Sequence, residues 1–199
     1  MGKLSRKQFD LLVASSEAPL PAQRTLASQL DCSVGTVNKL IGELTEAGYI
    51  CDGQITKSGL EVLEPYKAKR AVFLAAGFGT RLVPVTLNTP KPLVRVNGKR
   101  IIDGLIDAVL AAGIEEIYVV RGYLAEQFDQ LLYKYPMIKF LENLAYNEAN
   151  NISSAMCARY FMQNAYVLES DLLIREPSLI RRYNYSTNIL GIKKDRSDD

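Results

Sequence analysis

A chain of 199 residues with 24 Lys and Arg against 22 Asp and Glu has a net charge of only +2, too small to make nucleic acid or a membrane its main partner on charge alone. It has no histidine, which excludes Ser-His-Asp triads, Cys-His pairs and His-ligated zinc together and leaves carboxylates, cations, amides and a bound metal to do any chemistry. Its 3 cysteines are odd in number and widely spaced, no run approaches the roughly 18 apolar residues of a membrane span, and the opening residues lack a signal peptide's apolar core, so a soluble cytoplasmic protein with no membrane partner is expected.

The first seventy positions follow a helical rhythm. Phe9, Leu11, Leu12 and Val13 predict a first helix, Pro19 and Pro21 punctuate, and Leu26, Ala27 and Leu30 predict a second. Ser33 is placed to cap a third helix carrying Val34, Val37, Leu40, Ile41 and Leu44, which ends near Gly48. Residues 49–51 and 54–56 then read as two short strands around an Asp52-Gly53 hairpin turn.

Helices followed by a hairpin, with the stretches 25–30, 33–40 and 43–50, resemble a MarR-like winged helix-turn-helix over residues 1–66. The resemblance implies DNA as a partner, with readout by Ser33, Thr36, Asn38 and Lys39 in the major groove and with Arg24 and Lys57 on phosphates. Positions 1–69 carry as many acidic as basic side chains, so DNA binding there depends on local clustering of cations or on a homodimer, and docking of protein is the competing use. Glu64-Pro65-Tyr66 with Lys67, Lys69 and Arg70 reads as a hinge into a second domain over 70–199.

Residues 71–75 form a short apolar run that predicts a strand buried on both faces. Gly77 and Gly79 let the backbone turn with its N–H groups toward an anion, and Arg81 and Lys91 supply charge for phosphate oxygens. Leu82 stands where the dinucleotide fingerprint needs its third glycine, and the Gly-Lys-Ser/Thr of a Walker loop is absent. Downstream, 101–110 predicts a helix ending at Gly113. Residues 117–120, 138–141 and 166–168 predict strands, and 124–135 and 153–162 predict helices. The alternation is that of a doubly wound α/β domain. Its strand ends should bring one rim together from the glycine turn, Gly122-Tyr123, residues 143–154 and residues 169–171.

Ala75, Ala76, Gly77, Phe78, Gly79, Thr80, Arg81 and Leu82, followed by Pro90-Lys91-Pro92-Leu93, resemble the signature of the nucleotidyltransferase superfamily. Asn150, Asn151, Ile152, Ser153 and Ser154, with Gly122-Tyr123 and Glu126-Gln127-Phe128, narrow the resemblance to the bacterial CTP:phosphocholine cytidylyltransferases. That resemblance implies transfer of CMP from CTP, or UMP from UTP, to phosphocholine, another small phosphomonoester or a sugar 1-phosphate. It implies nucleotide contacts from Ala75 through Thr80, Gly122, Tyr123, Asn151, Ser153 and Ser154, with Arg81 on the β,γ-phosphates and Lys91 bridging the α-phosphate and the acceptor. Asn151 or Ser153 can instead cap the helix that follows.

Asp171, just past a buried strand, is the candidate ligand for Mg²⁺, with Glu169 either assisting or a bystander. A domain of this family is expected to run past Asp199, with a second metal carboxylate beyond it, and Asp195, Asp198 and Asp199 lie too near the chain end for that role. A regulator whose α/β half senses a nucleotide, and a scaffold docking through both halves, are the alternatives.

Overall fold

Ser5 opens the first helix, α1 (Arg6–Glu17), through a reciprocal cap: its hydroxyl accepts from the Gln8 N–H at 3.3 Å while its own N–H donates to the Gln8 side chain at 2.9 Å. The structure is a computed structural model that describes residues 3–148 and 151–188. Helix α2 (Gln23–Gln29) leads through a left-handed Asp31 into α3 (Val34–Glu46), where Ser33 Oγ accepts from the Thr36 N–H at 3.1 Å. The strands β1 (Ile50–Cys51) and β2 (Gln54–Ile55) pair antiparallel around Asp52 and Gly53, both at positive φ as a two-residue hairpin turn requires. Helix α4 (Lys57–Leu63), capped by Thr56, follows where the sequence suggested no element. Leu11, Leu12, Leu26, Val37, Leu44 and Leu63 form the sealed interior of this part.

The described residues divide into two compact units, one of residues 3–67 together with 183–188 and the other of the described residues between 68 and 182. This differs from expected boundaries of 1–66 and 70–199, because the described end of the chain returns to the first unit. Tyr185 lies against Phe9 and Tyr66 with ring centroids 5.4 and 5.8 Å away, and its hydroxyl donates to the Leu4 carbonyl at 2.9 Å. Asn184 N–H donates to the Tyr66 carbonyl at 2.8 Å.

The second unit is built on β3 (Arg70–Leu74). A small hairpin of β4 (Arg95–Val96) and β5 (Lys99–Arg100), unanticipated in the sequence, precedes α5 (Ile101–Ala111). Strands β6 (Glu116–Arg121), β7 (Ile138–Glu142) and β8 (Ala165–Glu169) complete a parallel sheet in the order β7-β6-β3-β8, with α6 (Asn151–Ala158) between β7 and β8. Alternation puts Ala71, Phe73, Ile117 and Val119 into one core with α5, and Val72, Tyr118 and Val120 into another with Ala158 of α6. Burying a side chain such as Phe73 is worth about 2 kcal/mol, so both faces hold the strand in place. The order reverses at β3, whose neighbours are β6 on one side and β8 on the other, and such a switch point opens a crevice at the carboxyl ends.

The segment predicted as a helix over 124–135 is instead a 3-10 run at Ala125–Leu131, entered through a left-handed Leu124. Side-chain donors explain the difference. Arg121 donates to the Ala125 carbonyl at 3.1 Å, Gln130 to that of Gln127 at 2.9 Å and Arg100 to that of Gln130 at 3.2 Å, all acceptors an α-helix would need for its own ladder.

Candidate functional site

The carboxyl ends of β3 and β8 open onto a cavity of ≈ 740 Å³ within the second unit. Ala75, Ala76, Gly77, Phe78, Gly79, Thr80 and Arg81 line it, with Lys91, Asn151, Ser154 and Asp171. Asn143, Tyr146, Asn147, Glu148, Glu169 and Ser170 contribute from the two rim segments, 143–154 and 169–171, that the sequence places there.

The turn after β3 owes its shape to Gly79, at φ +65, where an added Cβ would stand 3.1 Å from both Lys91 Cβ and Thr86 Cγ2. Gly77 meets nothing within 4 Å, so its open side leaves the backbone approachable. Thr86, 1% exposed, donates from Oγ1 to the Gly79 carbonyl at 2.8 Å and braces the turn from behind. Arg81 is exposed and makes no ion pair among the described residues, so its guanidinium is available to an anion.

Lys91 is engaged: its Nζ lies 2.5 Å from Asp171 Oδ2, both side chains about one-third exposed. Asp171 is held near by Ser170, whose hydroxyl donates to the Leu74 carbonyl at 2.7 Å and ties the end of β8 to β3. Burial pushes the Glu169 carboxyl above its ordinary value, the Asp171 charge adds to this and Lys91 opposes it. Asn151, the first residue of α6, donates to Glu169 Oε1 at 2.7 Å. Buried Asn143 donates to Ser153 Oγ at 2.9 Å and Ser154 Oγ at 3.1 Å, which fixes the start of α6 against the end of β7. Asn150 lies outside the described residues.

Three expected nucleotide contacts are not in the cavity lining. Gly122 is outside the cavity lining: Tyr146 packs onto it so closely that a Cβ would stand 2.7 Å from the Tyr146 Cβ. Tyr123 is also outside the lining, and its hydroxyl is turned to the Thr86 and Leu87 carbonyls at 3.1 and 3.0 Å. Ser153 is not among the lining residues either. The DNA candidates belong to the first unit, where Arg24, Ser33, Asn38 and Lys39 are exposed and Thr36 is half-buried beside Ser33.

Asp171 and Glu169 are the acidic groups that reach the Lys91 side of the cavity, and no set of three or more His, Cys, Asp or Glu clusters among the described residues. That donor set fits Mg²⁺, which takes one or two carboxylates and fills its shell with phosphate oxygens and water. It does not suit a cation caged by protein alone. Asp195, Asp198 and Asp199 lie outside the described residues.

A parallel sheet with a cationic glycine turn at its switch point is suited to holding an anionic ligand. Residues 70–188 match the nucleotidyl transferase family model, and the chain belongs to that family. It is similar to a 2-aminoethylphosphonate cytidylyltransferase of Lancefieldella rimae, 43% identical over 113 residues, which are 56% of this chain and 46% of the relative. It is also 43% identical over 102 residues to a choline-phosphate cytidylyltransferase of Streptococcus pneumoniae, over 51% of this chain and 44% of that one. A solved CTP:phosphocholine cytidylyltransferase from Streptococcus pneumoniae superimposes with a TM-score of 0.54 at 40% identity, covering 57% of this chain and 49% of that one. The chain thus spans about half the length of the curated relatives it matches.

Proposed function

We propose that the second unit binds CTP and transfers its CMP group to a small acceptor bearing a phosphate or phosphonate, with phosphocholine the first acceptor to test. The carrying observation is the convergence of the glycine turn, free Arg81 and the Lys91–Asp171 pair on one cavity. Named relatives that are cytidylyltransferases acting on choline phosphate and 2-aminoethylphosphonate support both the nucleotide and the acceptor class.

In this reading the acceptor's anionic oxygen attacks the α-phosphorus of CTP, the bond to the β-phosphate oxygen breaks and pyrophosphate leaves. The turn's backbone N–H groups and Arg81 hold the β,γ-phosphates, so charge gathering on the leaving group meets fixed donors. Lys91, held beside Asp171, would lower the repulsion between the two approaching anions. Asp171, with Glu169 at hand, would hold Mg²⁺, which neutralises phosphate charge. Asn151 and Ser154 offer neutral donors and acceptors for base or ribose. Incubation with labelled CTP, Mg²⁺ and phosphocholine tests the reading: CDP-choline and pyrophosphate are expected. No product with any phosphomonoester or phosphonate, together with no binding of CTP, refutes it.

A second reading concerns the first unit. Its helices and hairpin follow in the order of a winged helix, and Asn38 and Lys39 stand exposed on α3 with Ser33 exposed at its cap. We propose DNA as the partner of that face, as a homodimer, and a salt-sensitive shift of DNA fragments lying upstream of its own gene tests it. Binding that is absent at low salt overturns it.

A further inference from the structure

Between Arg81 and Lys91 the chain runs through a segment with little hydrophobic anchorage. Val83, Val85 and Leu87 are 55%, 55% and 56% exposed, so burial does not hold it, and Thr86 is its one buried side chain between 82 and 88. Two side chains from beyond β6 hold it instead. Tyr123 offers its single hydroxyl proton to the adjacent carbonyls of Thr86 and Leu87 at 3.1 and 3.0 Å, and Gln127 Nε2 donates to the Asn88 carbonyl at 2.7 Å. Tyr123 is itself fixed: its N–H donates to the Ala76 carbonyl at 3.1 Å, and its ring lies 5.1 Å from that of Phe78.

We propose that Tyr123 and Gln127 are positioning residues that suspend the segment 83–90 and so set the separation of Arg81 and Lys91 on the bound triphosphate. The inference rests on the nucleotide reading above and assigns these residues a task other than touching the nucleotide. A tyrosine hydroxyl has one proton, and here that proton is spent on the loop. A loop with so few buried side chains owes its order largely to a few hydrogen bonds, so losing one loosens it while the sheet below stays intact. Tyr123 and Gln127 come from the turn after β6 and the 3-10 run that follows it, outside the cavity lining, so the loop is held from beside the cavity and not from within it.

The test uses Tyr123→Phe, which keeps the ring against Phe78 and removes only the hydroxyl, and Gln127→Ala. In the protein without ligand, hydrogen exchange at Leu87, whose N–H donates to the Pro84 carbonyl within the segment, should speed up about fivefold in each variant, while α5 and β6 stay unchanged. With Mg²⁺ present, affinity for CTP should fall about fivefold in each variant, whereas affinity for CMP, which lacks the β- and γ-phosphates, should hold within twofold. The double variant should lose more CTP affinity than either single one. Unchanged exchange in the loop overturns the proposal. So does a Tyr123→Phe protein that loses CMP as much as CTP while Gln127→Ala loses neither, since a direct nucleoside contact would do that. If the wild-type protein binds no CTP, the nucleotide reading fails, and the exchange measurement still decides whether the two residues hold the loop.

Discussion

Replacing each glycine of the turn by alanine separates backbone shape from ligand access. At Gly79 the φ of +65 costs an alanine about 1–2 kcal/mol, because its Cβ crowds the following carbonyl. Contacts at 3.1 Å with Lys91 Cβ and Thr86 Cγ2 add about 1–2 kcal/mol, since both atoms lie close to backbone and have little room to give. The sum of about 2–4 kcal/mol should lower the Tm of the second unit by roughly 10 °C. At Gly77 the added methyl meets nothing within 4 Å and no left-handed φ is required, so Tm should stay within about 2 °C. The methyl nevertheless occupies the cavity wall, and CTP affinity should fall at least about tenfold for want of close backbone approach. Thermal unfolding and CTP titration of the two variants measure this directly. A Gly79→Ala protein as stable as wild type, or a Gly77→Ala protein that unfolds with it, would show the reasoning about the turn to be wrong.

Asp171→Asn should leave stability within about 1 kcal/mol, because its pair with Lys91 is partly solvated, yet cut product formation about 100-fold or more, as steady-state kinetics with Mg²⁺ would report. Tyr185→Ala should destabilise the first unit by about 2–3 kcal/mol and speed amide exchange in α1, while Tyr185→Phe should cost only about 1 kcal/mol for the bond to Leu4. The Tyr118 hydroxyl, at 2.6 Å, and then Arg70, at 2.9 Å, hold the Glu116 carboxyl below its ordinary 4.5 against burial. That contribution is complete above pH 4.5 and is lost as acid protonates the folded carboxyl. Glu116→Gln should therefore flatten the acid limb of a stability-versus-pH curve and leave its neutral plateau lower.

What could be read in advance was whatever lies in one contiguous stretch. Strand β3, the glycine turn and its two cations follow one another within about two dozen residues, and the unbroken apolar runs of β3 and β6 announce a sheet covered on both faces. Parts held from far away could not be read. Nothing around Val83 and Leu87 reveals that Tyr123 and Gln127 hold that loop, and Gly122 looks like a ligand glycine until Tyr146 is seen lying on it. Tyr183 and Tyr185 follow the last strand in sequence yet belong to the first unit, where Tyr183 bridges to Lys67 and Tyr185 lies on Phe9 and Tyr66, more than a hundred residues earlier. The 3-10 run at Ala125–Leu131 escaped for a related reason: helical periodicity is blind to side-chain donors that take its carbonyls.

In the proposed function a triphosphate is gripped by the turn after β3 and by Arg81 and Lys91. Calorimetric titration of the protein with CTP and with CMP in the presence of Mg²⁺, repeated for Arg81→Ala and Lys91→Ala, tests this most directly. CTP should bind at least about tenfold more tightly than CMP, and Arg81→Ala should erase most of that difference. Equal affinity for the two nucleotides in the wild-type protein, or a preference for CTP that survives both substitutions, would contradict it.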